Sequence, residues 1–360
     1  MEEVLNTSKI EMAVKNSGAS LSFKDDIEKE FGENDTRSLG GYQVQSGGSN
    51  FPLNLGGGLQ FSSIDDGIPV TGEIKFSDFY SKKLNVVVDF YTGNEEFRKN
   101  AKTRYGNNSK VLIVGGYGDK PSSTSGKKVY IFVNKSLGAK TNPSTKYEVA
   151  LKTGNWDSNT DLIVRVGTGG KIRGAGGKGG QGKKDAKGGN GTRGSSALGI
   201  TYSGTTVTNF GKIQAGYGGG GGGAGNGANV QTGKKSSVYE TSSGGGGGGG
   251  AGNPIGLKGT SETGATSNGG NGSNGNFNNG GAFGGGGNSA GAGGKGGGLD
   301  TNVNAANAPN GGASSKYGAG SGGANGYAIV TSHSSNPVIT GTAVQGRIKK
   351  NQTPSWFQSI

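Results

Sequence analysis

The sequence predicts a mainly β and irregular protein: a small N-terminal docking segment, a small β-sandwich domain, and then a bundle of polyglycine-II helices. Three observations carry this reading. Only 29% of the 360 residues are hydrophobic, against about 45–50% in ordinary domains, so any conventional core is small. Apolar β-formers cluster between residues 84 and 166 in short runs separated by turn residues. Most of the 81 glycines fall between 167 and 326, where more than one residue in three is Gly and Pro254 and Pro309 are the only prolines. Collagen needs a strict triplet rich in proline, so the collagen alternative fails.

Bulk chemistry narrows the function classes. The formal net charge of +13 suits acidic partners such as anionic lipid, nucleic acid or acidic polysaccharide, and equally suits plain solubility. There is no Cys, which excludes disulfides and thiolate metal sites. The single His, His333, leaves no multi-His cluster. The start of the chain, with Glu2 and Glu3, has no apolar stretch of signal-peptide length, and no run approaches a bilayer span. The adjacent acids Asp25-Asp26 and Asp65-Asp66 suit helix starts and turns better than a shared substrate. GxGxxG-like matches follow from composition and lack a strand–turn–helix setting. The Arg173-Gly174 and Arg193-Gly194 pairs lack the interleaved aromatics of an RNA-binding segment. The expectation is a structural or adhesive protein, not an enzyme, with no catalytic residue, cofactor or metal.

Residues 1–83 form the docking segment. Phe23, Ile27 and Phe31 lie four apart, which predicts a short helix over Ser22–Phe31. Ser22 is its N-cap, Asp25 and Asp26 occupy the first turn, and Gly32 ends it. The theme returns near residue 74: Leu21, Phe23 and Asp25 align with Ile74, Phe76 and Asp78 at an offset of 53. These residues, with Phe79 and Tyr80, are the candidate docking positions. Two copies are too few for a solenoid.

Residues 84–166 carry LNVVVDFY (84–91), KVLIVGGY (110–117), KKVYIFVN (127–134), KYEVALKTG (146–154) and DLIVRVG (161–167). Such β-branched and aromatic runs between turn residues predict a small sandwich. EEFRKNAKTRYG (95–106) reads as about two helical turns.

Within 167–326 the glycines recur in threes, as in Gly176-Gly177-Lys178 and Gly179-Gly180-Gln181, with long blocks at 218–223 and 244–250. Polyproline-II geometry has three residues per turn and no internal hydrogen bonds. Gly at the facing positions lets backbones approach and pair, and the third residue points outward. The opposing reading is a disordered linker, because Gly loses the most backbone entropy on ordering. The recurring triplet phase and the apolar interruptions favour the ordered bundle. Among those interruptions, Tyr217, Tyr239, Phe277, Phe283 and Tyr317 either stack on sugars or anchor the ends of Gly helices. Residues 327–360 close the chain, with a strand at GYAIVTS (326–332) and a strand pair or irregular β segment at NPVITGTAVQGRI (336–348).

The phrase IPVTGEIKFSDFYSKKLN (68–85) resembles one found near the N-termini of tailed-phage tail and fibre proteins, and SGASLSFKDDIEKEFG (17–32) resembles a degenerate copy. KIRGAGGKGGQG (171–182), SSALGI (195–200), TNFGKIQAGYGGGGGG (208–223) and GGANGYAIV (322–330) are similar to the Gly-rich adhesin-like virion proteins of tailed phages, including cyanophages and T-even-type phages. The resemblance implies a virion protein of the tail tip, baseplate or tail fibre. Its partners would be other tail, baseplate and fibre proteins in a multi-subunit assembly, and a host receptor, polysaccharide or outer-membrane protein. No nucleic acid or membrane insertion is implied, and the protein would be made in the host cytoplasm without a signal peptide. In that family, packed polyglycine-II helices carry loops that read the receptor. A baseplate or fibre connector without receptor contact is one alternative, and an ice- or surface-binding polyglycine-II protein is another.

Overall fold

The computed structural model describes residues 14–28, 39, 72–82, 86–90, 99–100, 111–113 and 124–353, apart from 155, 234–235, 265–266, 300–307, 309 and 315–316. It is mainly strands in parallel sheets. The strands are β1 (Val86–Phe90), β2 (Lys99–Asn100), β3 (Val111–Ile113), β4 (Lys128–Val133), β5 (Ser136–Gly138), β6 (Val149–Lys152), β7 (Asp161–Val166), β8 (Lys171–Arg173), β9 (Ser196–Ile200), β10 (Thr206–Asn209), β11 (Lys212–Gln214), β12 (Asn226–Gly233), β13 (Ser236–Ser242), β14 (Ile329–Thr331), β15 (Val338–Gly341) and β16 (Ile348–Lys349).

Their order describes a three-faced parallel β-solenoid. One sheet runs β15-β10-β7-β4-β1-β3, a second β11-β8-β5, and a third β16-β14-β9-β6-β2. β4, β5 and β6 visit the three faces in turn; β7, β8 and β9 repeat the circuit, then β10, β11 and β14. β15 and β16 follow, with Gln345 bridging to Gln214 between them. Register stacks like on like: Ile131 beside Val164 beside Val207 beside Ile339 on one face, Leu137 beside Ile172 beside Ile213 on the next. On the third face Leu151, Leu198, Ile329 and Ile348 align. The inward members form one buried cluster running through the solenoid, and each coil covers the apolar face of the last, as stacked repeats do.

All five predicted strand segments of 84–166 contain strands, but their arrangement differs from the expected sandwich. A sandwich uses hairpins, whereas β4 passes through two residues to β5 on a different face. The sheet neighbour of β4 is therefore β7, one coil later, and parallel. The sheets also recruit β8, β9, β10, β11, β14, β15 and β16 from beyond residue 166. The stretch 197–214, one of the apolar interruptions of the glycine segment, supplies most of β9 and all of β10 and β11. The expected strand pair at 336–348 becomes β15 and β16 on separate sheets. Within the predicted helix at 95–106, Lys99 and Asn100 instead form β2, paired with Leu151 and Lys152; the other residues lie outside the described ones.

The predicted N-terminal helix is a single wide π-type turn, Phe23–Glu28. Ser22 does cap it: its hydroxyl accepts from the Asp25 N–H at 3.1 Å, and its own N–H donates to the Asp26 carboxylate at 2.8 Å. Residues 29–32 lie outside the described ones.

The glycine-rich chain leaves the solenoid twice, between β8 and β9 and between β11 and β14. It forms one lobe of extended segments joined by backbone hydrogen bonds at every third residue. Gly177, Gly180 and Lys183 donate to Tyr217, Gly220 and Gly223. Gly216, Gly219 and Gly222 donate to Ser195, Thr192 and Gly189. Segments 215–225 and 243–252 are central, bonded on all sides and buried throughout. Segment 243–252, for example, pairs with 174–183, 215–225, 256–261, 269–276, 279–287 and 290–299. At the rim, burial itself has period three: Gly272 and Gly275 are buried while Ser273 and Asn274 are exposed.

Candidate functional site

The direction of each lobe segment fixes which connections share an end. The bonding registers make successive segments antiparallel: 174–183 and 215–225 run away from the solenoid, 189–195 and 243–252 run back. One set of turns therefore lies against the solenoid. The Ala139 N–H donates to the Asn253 carbonyl at 3.0 Å, and Gln214 Nε2 donates to the Phe277 carbonyl at 2.6 Å. The other set, 184–188, strands β12 and β13, 262–264 with 267–268, 287–290, and 313–314 with 317, gathers at the far end.

The far end is held by polar links. Lys183 Nζ lies 2.7 Å from Glu262 Oε1 and 2.8 Å from Gln181 Oε1, and the Lys184 N–H donates to Glu262 Oε2 at 3.0 Å. Partial burial alone would raise the Glu262 pKa. The Lys183 side-chain hydrogen bond, the Lys184 N–H and the two lysine charges outweigh it and hold the carboxyl below its ordinary value. Sequence reasoning missed this clamp. Its signal is present: Lys183, Lys184 and Glu262 are charges that break the glycine triplets.

Many polar residues of the lobe are committed to structure. The side-chain oxygens of Asn268, Asn271 and Asn274 accept from the N–H groups of Gly264, Ser261 and Lys258. Thr192 and Ser195 accept from Lys178 and Ala175. Each side chain supplies the acceptor for its backbone N–H.

The candidate receptor residues are scattered. Tyr217 is 2% exposed and packs with Ala215, Ala251 and Leu299 beside the solenoid; burial pushes its hydroxyl up to about 12. It is an anchor, with no surface for a receptor. Phe277 is half exposed at the solenoid end, 4.9 Å under the Arg173 guanidinium, so it too holds lobe to solenoid. Phe283 is exposed on the flank of the rim segment 279–287. Tyr317 lies in the far-end turn, where its N–H donates to Ser314 Oγ. Tyr239 belongs to the far-end hairpin, opposite Asn229.

The candidate docking residues do come together. Phe23 and Phe76 meet edge to face at 6.4 Å, the Tyr80 hydroxyl donates to the Ala19 carbonyl at 2.7 Å, and Ile27 and Phe79 are fully buried. Asp25 is engaged by Ser22 Oγ, and Asp78 accepts from the Lys75 N–H at 2.7 Å. Leu21 and Ile74 are half-buried. The two sequence copies thus form one small unit in which the motif packs on itself.

Among the described residues no group of acids and His could hold a metal ion, and no helix is long and apolar enough to cross a membrane. A profile of the phage tail fibre adhesin Gp38 family matches residues 100–349. The chain belongs to this family. The match covers the β4–β16 solenoid and the whole lobe, so both are parts of the tail fibre adhesin. No characterised protein and no solved structure matches the chain. Membership in a tail fibre family makes this adhesin a component of the phage virion.

Proposed function

We propose that this adhesin attaches the virion to its host without enzymatic activity, and that the far end of the lobe makes the contact. On this reading the lobe segments are polyglycine-II helices, supported by their three-residue bonding period between segments. The observation that carries the assignment is that the β12–β13 hairpin, the longest connection of the lobe, lies with four other turns at the end opposite the solenoid. Loops on a rigid scaffold are where recognition concentrates. Residues 14–28 and 72–82 are the docking unit toward other tail, fibre or baseplate proteins. The test replaces residues 228–240 with a two-glycine turn and measures how well soluble protein blocks phage adsorption. Inhibition is expected to fall by at least about tenfold, the loss of a modest hot spot, with unchanged thermal unfolding. Undiminished inhibition by this variant, and by one in which 313–317 is replaced by glycines, would favour a connector.

A further inference from the structure

A cleft lies on the flank, between the solenoid and the lobe, and none of the far-end turn residues lines it. Thr145, Lys146 and Tyr147 form its solenoid wall; Asn190, Arg193 and the backbone of 321–324 form its lobe wall. The way it is built follows from the coils. β6, β9 and β14 are neighbours in one sheet, and the middle coil presents Ser196, whose hydroxyl donates to the Lys146 carbonyl at 2.6 Å and accepts the Tyr327 N–H at 2.9 Å. With only a serine between them, the rings of Tyr147 and Tyr327 meet, parallel within 2° at 5.7 Å. The Lys146 ammonium sits over both, 5.6 and 5.5 Å from their centroids. Two ring faces thereby hold one cation in place.

Arg193 is the second cation, exposed at an outward triplet position. Among the described residues no carboxylate lines the cleft. The nearest acid in sequence, Glu148, is buried and accepts from the Ser144 N–H and hydroxyl. Asn190 uses its oxygen to accept the Ser321 N–H at 2.9 Å, which leaves its Nδ2 as a donor. The lining adds hydroxyl, amide and glycine backbone groups to the Tyr147 ring.

We infer that this cleft is a second recognition site, for an acidic saccharide: a sugar whose carboxylate or phosphate lies between Lys146 and Arg193, and whose hydroxyls meet Asn190 and Thr145. Charge-assisted hydrogen bonds from the two cations supply affinity, and the neutral polar groups fix the sugar. The inference rests on the attachment reading for the origin of the ligand, but the binding measurement needs no cell. Failure of adsorption with far-end variants and failure of saccharide binding with cleft variants are therefore separate results.

The experiment is calorimetric titration of the full chain with an oligogalacturonate, with mannose 6-phosphate, with a neutral galactan oligosaccharide and with an oligoglutamate peptide. At least one acidic sugar is expected to bind, and which one assigns carboxylate or phosphate. Arg193→Ala and Lys146→Ala should each weaken it about tenfold, the effect of removing one charged hydrogen bond. Lys178→Ala, at an exposed triplet position of another segment, should change nothing. The inference is overturned if neither acidic sugar binds, if the neutral sugar or the peptide binds as tightly, or if Lys178→Ala costs as much as Arg193→Ala. Arg193 lies on the surface, so its variants retain the fold and the test remains decisive if Lys146→Ala unfolds.

Discussion

At the scale of single residues, the glycines of the lobe are of two kinds that composition does not separate. A Cβ built on Gly221 or Gly247 would lie against the carbonyl oxygens of Gly320 or Gly220, far inside the 3.0 Å that real Cβ atoms keep. One built on Gly285 or Gly318 would meet nothing within 4 Å. The obstacle in the first case is backbone, which cannot rotate aside as a side chain does. Gly221→Ala and Gly247→Ala should therefore destabilise by about 3 kcal/mol or more, the upper range of overpacking. Gly285→Ala and Gly318→Ala should be neutral or stabilising by up to about 1 kcal/mol, through the lost entropy of the unfolded chain. Thermal unfolding of the four variants checks this, and equal losses at all four would remove the distinction between facing and outward glycines. The same logic explains why the blocks 218–223 and 244–250 are unbroken glycine. Each of their three faces meets another backbone, whereas 269–276 needs glycine only at Gly269, Gly272 and Gly275.

At the scale of elements, the lobe depends on side chains that accept from backbone N–H groups, and on one ion pair across its far end. Asn271→Ala and Asn274→Ala should each cost about 1 kcal/mol, the usual worth of one hydrogen bond, and hydrogen exchange should quicken at Ser261 and Lys258. Glu262 adds a pH dependence. Its folded pKa lies below the unfolded value of 4.5, so its contribution is fully present above 4.5 and is lost as pH falls through the folded value. The group is about one-third exposed, so the effect is small, within about 1 kcal/mol. Below that pH the protection factors of the 183–184 amides should fall in wild type, whereas in Glu262→Ala they are already low at neutral pH; a pH-independent protection factor in wild type would count against the clamp. The individual strands were legible in the sequence because Val, Ile, Tyr and Phe crowd into runs such as KVYIFV. The triplet period of the lobe was legible for the same local reason. The solenoid was not, because its coils differ in length and two of them are interrupted by glycine-rich insertions. Val133, Val166, Asn209 and Gly341 are neighbours in one sheet, yet their sequence spacing is irregular. Of the candidate contact residues, aromaticity marked all alike; burial at Tyr217 and the Arg173 stack on Phe277 depend on what other segments bring, which no local pattern records.

At the scale of the whole molecule, the two architectures share a chain in a way that couples their stability. The lobe is not appended to the solenoid: it is assembled from an insertion after β8 and a second after β11, and segments from both pair with each other, as 174–183 does with 215–225. The solenoid has a buried apolar cluster. The lobe has almost none and relies on backbone hydrogen bonds that each contribute about 1 kcal/mol net, against about 1–2 kcal/mol of backbone entropy per residue ordered. Anchoring both ends of each insertion in a folded coil lowers the entropy that the lobe must lose, since loop ends already held together need no further closure. The lobe should consequently melt no later than the solenoid. A cavity made deep in the solenoid should lower both transitions together. Leu198→Ala, at a fully buried position between Leu151 and Ile329, removes about 2–5 kcal/mol. Solenoid unfolding read from the fluorescence of the buried Trp156, and lobe unfolding read from exchange at Gly220 and Gly248, should shift downward by the same amount. If the lobe amides keep their protection after the solenoid has melted, the lobe folds independently, and the coils serve only as its point of attachment.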